Sequence, residues 1–173
     1  MAVLILGGAR SGKSRYAENL ATNSAKQVIY IATGQARDAE MAARINLHRQ
    51  QRPAHWQTLE EPIKLAEVLA THADKTRCLL VDCLTLWLSN ILFDAQGQVQ
   101  ENVFEEQSQT LLEIVTSLAG EVIFVSNEVG QGIVPMDAMS RRFVDEAGRL
   151  HQQLAQRCEQ VVLVTAGLAQ VLK

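Results

Sequence analysis

The octapeptide GGARSGKS, Gly7 to Ser14, limits what this chain can fold into more than any other feature. It fits the pattern GxxxxGK[ST]. It also lies between the apolar run Ala2 to Leu6 and a helical pattern from about Lys13 to Ala21, the context a phosphate-binding loop requires. Gly7 and Gly12 permit backbone angles that a Cβ would obstruct. The amides around Gly8, Ala9, Arg10 and Ser11 can then point inward at phosphate oxygens, and the helix N-terminus adds partial positive charge. In such a loop Lys13 reaches the β- and γ-phosphates and the Ser14 hydroxyl ligates Mg2+. Average residue frequencies put a chance match at roughly one in 200 chains of this length. The rival reading is a glycine turn with an exposed lysine.

The rest of the chain alternates in a way that suits the loop. Strands are expected at Gln27 to Ala32, Cys78 to Asp82, Val122 to Ser126 and Val161 to Thr165, with a short last one at Ala169 to Leu172. They are continuous apolar runs, as in strands covered on both faces of a mostly parallel sheet. Between them, helical patterns cover Asp38 to Gln51, Pro62 to Ala73, Leu84 to Phe93, Val99 to Leu118 and Ser140 to Cys158, with a turn at Gln96-Gly97. The expected fold is therefore α/β: a three-layer P-loop NTPase-like domain with a mostly parallel central sheet, one domain over 1–173. Ligands in such folds bind beyond the carboxyl ends of the strands. That edge is expected to carry Gly7 to Ser14, Thr33 to Gln35, Asp82 and Asn127 to Gly132.

A magnesium site needs an acidic residue at a strand end, and Asp82 closes the run CLLVD. A helix-capping aspartate is the plainer reading of the same residue. A second group of interest lies between 38 and 60. At 100° per residue, Met41, Arg44, Ile45, His48 and Arg52 share one helix face. Neutral imidazole is a good nucleophile towards phosphorus. Arg44, Arg49 and Arg52 disfavour protonation of His48 and could hold phosphates. An amphipathic helix with snorkelling arginines explains the same pattern without chemistry. His55, His72 and His151 lack the cationic setting and are expected to be surface or structural residues. Glu128, in SNEVGQGIVP, could position an attacking hydroxyl or a water; an ordinary glycine loop is the alternative. Arg141, Arg142, Asp145 and Arg149 have the spacings of a salt-bridged helix face.

Composition closes some routes. The net charge of −3 argues against a general polyanion binder, so no nucleic-acid partner is expected. No apolar run approaches the ~20 residues of a membrane span, and no basic segment precedes a signal-type core, so a cytoplasmic location is expected. Cys78, Cys83 and Cys158 lack CxxC spacing and are expected to be reduced, buried thiols.

Taken together, GGARSGKSRYAE at 7–18, YIATGQ at 30–35, EMAARINLHRQQRPAHWQTLE at 40–60, LLVDCLTLWLSNILF at 79–93, SNEVGQGIVP at 126–135 and RRFVDEAGRLHQQLA at 141–155 give a chain that resembles a known family. It is similar to the bifunctional adenosylcobinamide kinases / adenosylcobinamide-phosphate guanylyltransferases of cobalamin biosynthesis, across essentially its whole length. The resemblance implies two reactions. ATP or GTP phosphorylates the aminopropanol hydroxyl of adenosylcobinamide. GMP then passes from GTP to that phosphate, releasing pyrophosphate. It further implies a guanylyl-histidine at His48, within the RIxxHR motif. Nucleotide contacts are implied at Gly7 to Ser14, Thr33, Gly34, Gln35, Arg52, Glu60 and Asp82, with Mg2+ on Ser14 and Asp82, in a homotrimer. The family's late helix commonly reads GRxNQ, whereas this chain has His151 in place of the Asn. Two other classes compete: a P-loop small-molecule kinase without guanylyl transfer, and a regulatory GTPase. The GTPase reading lacks its NKxD element, since Asn127 is followed by Glu128 and Val129.

Overall fold

A computed structural model describes residues 1–35 and 53–173. The expected helix over 38–51, with Arg44, His48 and Arg49, lies outside the described residues, as does Arg52.

Branched aliphatic runs form the strands. Among the described residues these are β1 (Ala2–Gly7), β2 (Gln27–Ala32), β3 (Gln57–Glu60), β4 (Arg77–Asp82), β5 (Glu121–Asn127), β6 (Gln160–Thr165) and β7 (Leu168–Val171). They make one sheet in the order β3-β2-β4-β5-β1-β6-β7. Every pairing is parallel except β6 with β7. The helices are α1 (Lys13–Asn23), α2 (Leu65–His72), α3 (Leu84–Leu92), α4 (Glu101–Ile114) and α5 (Ala138–Arg157).

Strand side chains alternate between two cores, as the pleat requires. Leu4, Leu6, Ile29, Ile31, Leu79, Val81, Val122 and Phe124 face α2 to α5, meeting Leu65, Leu69, Trp87, Ile91, Leu111, Leu150 and Leu154. Val3, Ile5, Tyr30, Leu80, Ile123, Val125, Val162 and Val164 face the other way, onto Ala17 and Ala21 of α1 and onto Trp56. Two small residues one turn apart let α1 lie close to the sheet. This is the three-layer arrangement expected from alternating strands and helices.

The differences from the sequence reading have local causes. Helix α2 starts at Leu65 rather than 62 because the Glu61 carboxylate accepts from the Ile63 and Lys64 amides, at 2.9 and 2.8 Å, and holds a turn there. Val99 pairs with Phe93 in an isolated bridge around the Asp94 turn, so α4 begins at Glu101. It ends at Ile114, followed by a single 3-10 turn over Val115–Ser117. Strand β3 was not anticipated; its four residues, QTLE, mix polar and apolar groups at the sheet edge. Helix α5 opens on an Asp137 cap that accepts from the Ser140 amide at 2.8 Å. Its salt-bridged face centres on Glu146 rather than Asp145. Buried Glu146 meets Arg142 at 2.9 Å and Arg149 at 2.6 Å, and Arg142 also reaches Glu101 at 2.9 Å.

Candidate active site

The sheet register gathers the expected site residues at one edge. Gly7 lies opposite Asn127, and Ala32 opposite both Asp82 and Glu60. The loop from Gly7 to Gly12 crosses this edge and enters α1. Its turn is held by the Ser11 amide donating to Gly8 O at 3.2 Å. Arg10 and Gly12 have positive φ, 55° and 94°. No side chain caps α1, so its first-turn amides lack a side-chain acceptor, the arrangement that suits an anion.

Two outside elements brace the loop. The Glu128 amide donates to Gly7 O at 3.0 Å, and the Gly167 amide, in the β6–β7 turn, donates to Ser11 O at 2.8 Å. Space is tight at Gly7, where a Cβ would stand 2.5 Å from both Ser11 Oγ and Val164 O. Because one of those atoms is backbone, Gly7→Ala is expected to push β1 from β6 and cost about 1–3 kcal/mol, the range for overpacking a filled site. Urea unfolding checks this, and nucleotide affinity should fall with it.

Lys13 is 9% exposed and donates from Nζ to Gly8 O at 3.2 Å. Burial pushes its ammonium below the ordinary lysine range, opposed by the negative charge of Asp82. Asp82 is half-buried at the end of β4, where its Oδ2 accepts from Tyr30 Oη at 3.0 Å. It does not cap the next helix, whose N-cap is Cys83. The Asp82-Cys83 peptide is cis. The structure thus brings a cation and a carboxylate to the mouth of the loop, with a tyrosine from β2 orienting the carboxylate. Tyr30 was not singled out in the sequence; it lies 52 residues from Asp82.

Thr33 is fully buried, and its hydroxyl is engaged on both sides. It donates to Cys83 O at 2.7 Å and accepts from the Cys83 amide at 3.0 Å. Asn90 Nδ2 donates to Thr33 O at 2.8 Å and to Pro62 O at 3.2 Å. Thr33 therefore ties the carboxyl ends of β2 and β4 together. Thr33→Val removes both hydroxyl bonds and strands a buried amide. The expected cost is about 1–3 kcal/mol in urea unfolding, that of an unsatisfied buried group. Half-buried Gly34 and exposed Gln35 follow, and Glu60 is exposed at the end of β3. Half-buried Glu128 accepts on Oε1 from the Gly130 amide at 2.7 Å.

All three cysteines are buried. Burial pushes the thiols of Cys78 and Cys83 up to about 11 and that of Cys158 up to about 12. They stay protonated at neutral pH, as small apolar residues do. Among the described residues, no three His, Cys, Asp or Glu side chains cluster as a metal cage. A serine and a single carboxylate suit Mg2+, which binds oxygen and takes its other ligands from phosphate and water.

Comparison with known proteins gives a consistent result. A family model described as cobinamide kinase / cobinamide phosphate guanyltransferase matches residues 3–172. The bifunctional adenosylcobalamin biosynthesis protein CobP of Pseudomonas aeruginosa is 56% identical over 170 residues, spanning 98% of this chain and 96% of that protein. The bifunctional adenosylcobalamin biosynthesis protein CobU of Escherichia coli is 42% identical over 182 residues, spanning all of both. Among solved structures, the RadB recombinase aligns with a TM-score of 0.52 at 13% identity, over 94% of this chain and 73% of its own. The flagellar accessory protein FlaH of Methanocaldococcus jannaschii aligns with a TM-score of 0.51 at 15% identity, over 99% and 77%. At those identities the likeness is one of fold, that of P-loop NTPases.

Proposed function

The chain belongs to the cobinamide kinase / cobinamide phosphate guanyltransferase family, and from that premise we propose that a single phosphate loop serves both of its phosphorus transfers. In the kinase half, the aminopropanol hydroxyl of adenosylcobinamide attacks the γ-phosphorus of ATP or GTP and the nucleoside diphosphate leaves. Lys13 and the loop amides stabilise the charge that spreads over the transferring group. Ser14 and Asp82 would hold Mg2+, which when bound neutralises charge on the phosphate oxygens. Tyr30 fixes one oxygen of Asp82, so that carboxylate needs little reorganisation. Glu128 and Asp82 are the carboxylates available to accept the hydroxyl proton.

In the transferase half, a nitrogen of neutral His48 forms a bond to the α-phosphorus of GTP, and the bond to the leaving pyrophosphate breaks. An oxygen of adenosylcobinamide phosphate then takes the guanylyl group from the histidine, giving adenosylcobinamide-GDP and freeing the imidazole. Dividing the transfer into two displacements is the usual gain of covalent catalysis. Arg44, Arg49 and Arg52 would keep the imidazole neutral and hold phosphates. The nucleotide would also lie against Gly34, Gln35 and Glu60. A homotrimer, as the family resemblance implies, is part of this reading.

The observation that carries the proposal is the meeting of Lys13 and Asp82 at the mouth of a correctly built phosphate loop. The test uses GTP labelled at the α or the γ position, with and without cobinamide. The γ-label should appear in cobinamide phosphate. The α-label should appear first in protein and then in cobinamide-GDP. A γ-label product with no α-labelled protein would favour a kinase alone.

A further inference from the structure

The chemistry above makes no use of His151, yet this imidazole is only 7% exposed inside α5. Its Nε2 lies 2.7 Å from Ser126 Oγ, and Ser126 is itself buried near the end of β5. Ser126 Oγ meets Thr85 Oγ1, on α3, at 3.3 Å. Thr85 Oγ1 accepts from the Asn127 amide at 2.7 Å. The next amide, that of Glu128, donates to Gly7 O of the phosphate loop. A continuous polar chain therefore runs from the middle of α5 through the sheet edge to the loop.

The donor roles narrow what the chain can do. The Asn127 N–H can only donate, so Thr85 Oγ1 must accept there. The two hydroxyls can rotate, and imidazole Nε2 can donate or accept according to its tautomer. A polar partner at the Nε2 position gives Ser126 the shorter of its two side-chain bonds. Without one, buried Ser126 depends on Thr85 alone, the group that anchors Asn127. Burial disfavours the charged imidazolium, an effect opposed by the negative charge of Glu128.

We propose that His151 is a positioning residue for the cobinamide kinase reaction: through Ser126 and Thr85 it fixes the Asn127 amide, and with it the Glu128 end of β5, against the phosphate loop. The inference rests on the kinase reading for its effect on rate, and on geometry alone for the contact.

Two readouts separate those parts. In His151→Leu, kcat for cobinamide phosphorylation is expected to fall about 10-fold while KM for ATP stays within about 2-fold, the signature of a misplaced reacting group. Amide hydrogen exchange at Asn127 should quicken by about 10-fold, with Val122 to Phe124 unchanged. His151→Gln places an amide where Nε2 lies and should restore kcat to within about 3-fold. Ser126→Ala should match His151→Leu, and the double variant should be no slower than either single one. The proposal is overturned if the Gln variant is as slow as the Leu variant, if Asn127 protection is unchanged, or if the losses in the double variant multiply. Should His151→Leu fail to fold, Ser126→Ala and His151→Gln read the same quantities. A parent protein without kinase activity would refute the kinase reading, and Asn127 exchange would still decide the contact.

Discussion

Lys13→Ala is expected to slow both phosphorus transfers by about 10²–10³-fold each, the scale for removing one preorganised charge-stabilising donor. The size follows from where the ammonium sits. Lys13 is nearly buried, its Nζ is tethered to Gly8 O, and Asp82 lies close enough to attract it. In that water-poor setting its charge is weakly screened, so its attraction to developing phosphate charge is strong. The same placement works against the charged form, since burial lowers the ammonium pKa. A group so placed is suited to a ligand that brings negative charge with it. The loss should appear in kcat of cobinamide phosphorylation and equally in the rate of GMP transfer. A variant that lost one reaction and kept the other would show that the halves use different phosphate sites. Thermal unfolding of the variant separates this from a folding defect.

His48→Ala should produce an asymmetric result. Label from α-labelled GTP should no longer reach the protein, and cobinamide-GDP should not form. Cobinamide phosphorylation should persist within a few-fold, because transfer of the γ-phosphoryl group needs no imidazole. Quenching in alkaline detergent with gel autoradiography reads the first effect, and thin-layer separation of products reads the second. A His48→Ala protein that still carried an acid-labile GMP would move the nucleophile to another residue. Against Lys13→Ala the contrast is diagnostic: on the proposed reading one residue would serve a loop common to both reactions, the other a single displacement.

How much of this was legible in the chain depended on how local the signal is. The loop at Gly7 to Ser14 is contiguous, and its strand–turn–helix context can be read directly. Strands β2, β4, β5 and β6 were placed within a residue or two because continuous apolar runs mark strands covered on both faces. Strand β3 was not visible, since QTLE holds a single apolar residue and shows no hydrophobic period. The partners that shape the site were hidden for a different reason. Tyr30 with Asp82, and Thr33 with Cys83, are 52 and 50 residues apart. They meet only because β2 and β4 are neighbours, a fact of strand order that no local pattern encodes. Asp82 as a strand-end acid could be anticipated; the tyrosine that orients it could not. His151 is a case where the sequence reading was right but coarse. It was expected to be surface or structural, and its burial beside Ser126 places it behind the reactive edge.

The position of β1 between β5 and β6 has a consequence for how the protein is made. The phosphate loop leaves the ribosome before either sheet neighbour of β1. Yet β1 gains its first sheet neighbour only when residues from 121 onward have been synthesised, and its second only after residue 160. The bond from Gly167 to Ser11 comes later still. A nascent chain therefore carries its nucleotide motif long before it can bind a nucleotide. Closing such distant contacts is slow, so insertion of β1 between β5 and β6, rather than formation of any helix, is expected to set the pace at which the enzyme acquires its activity.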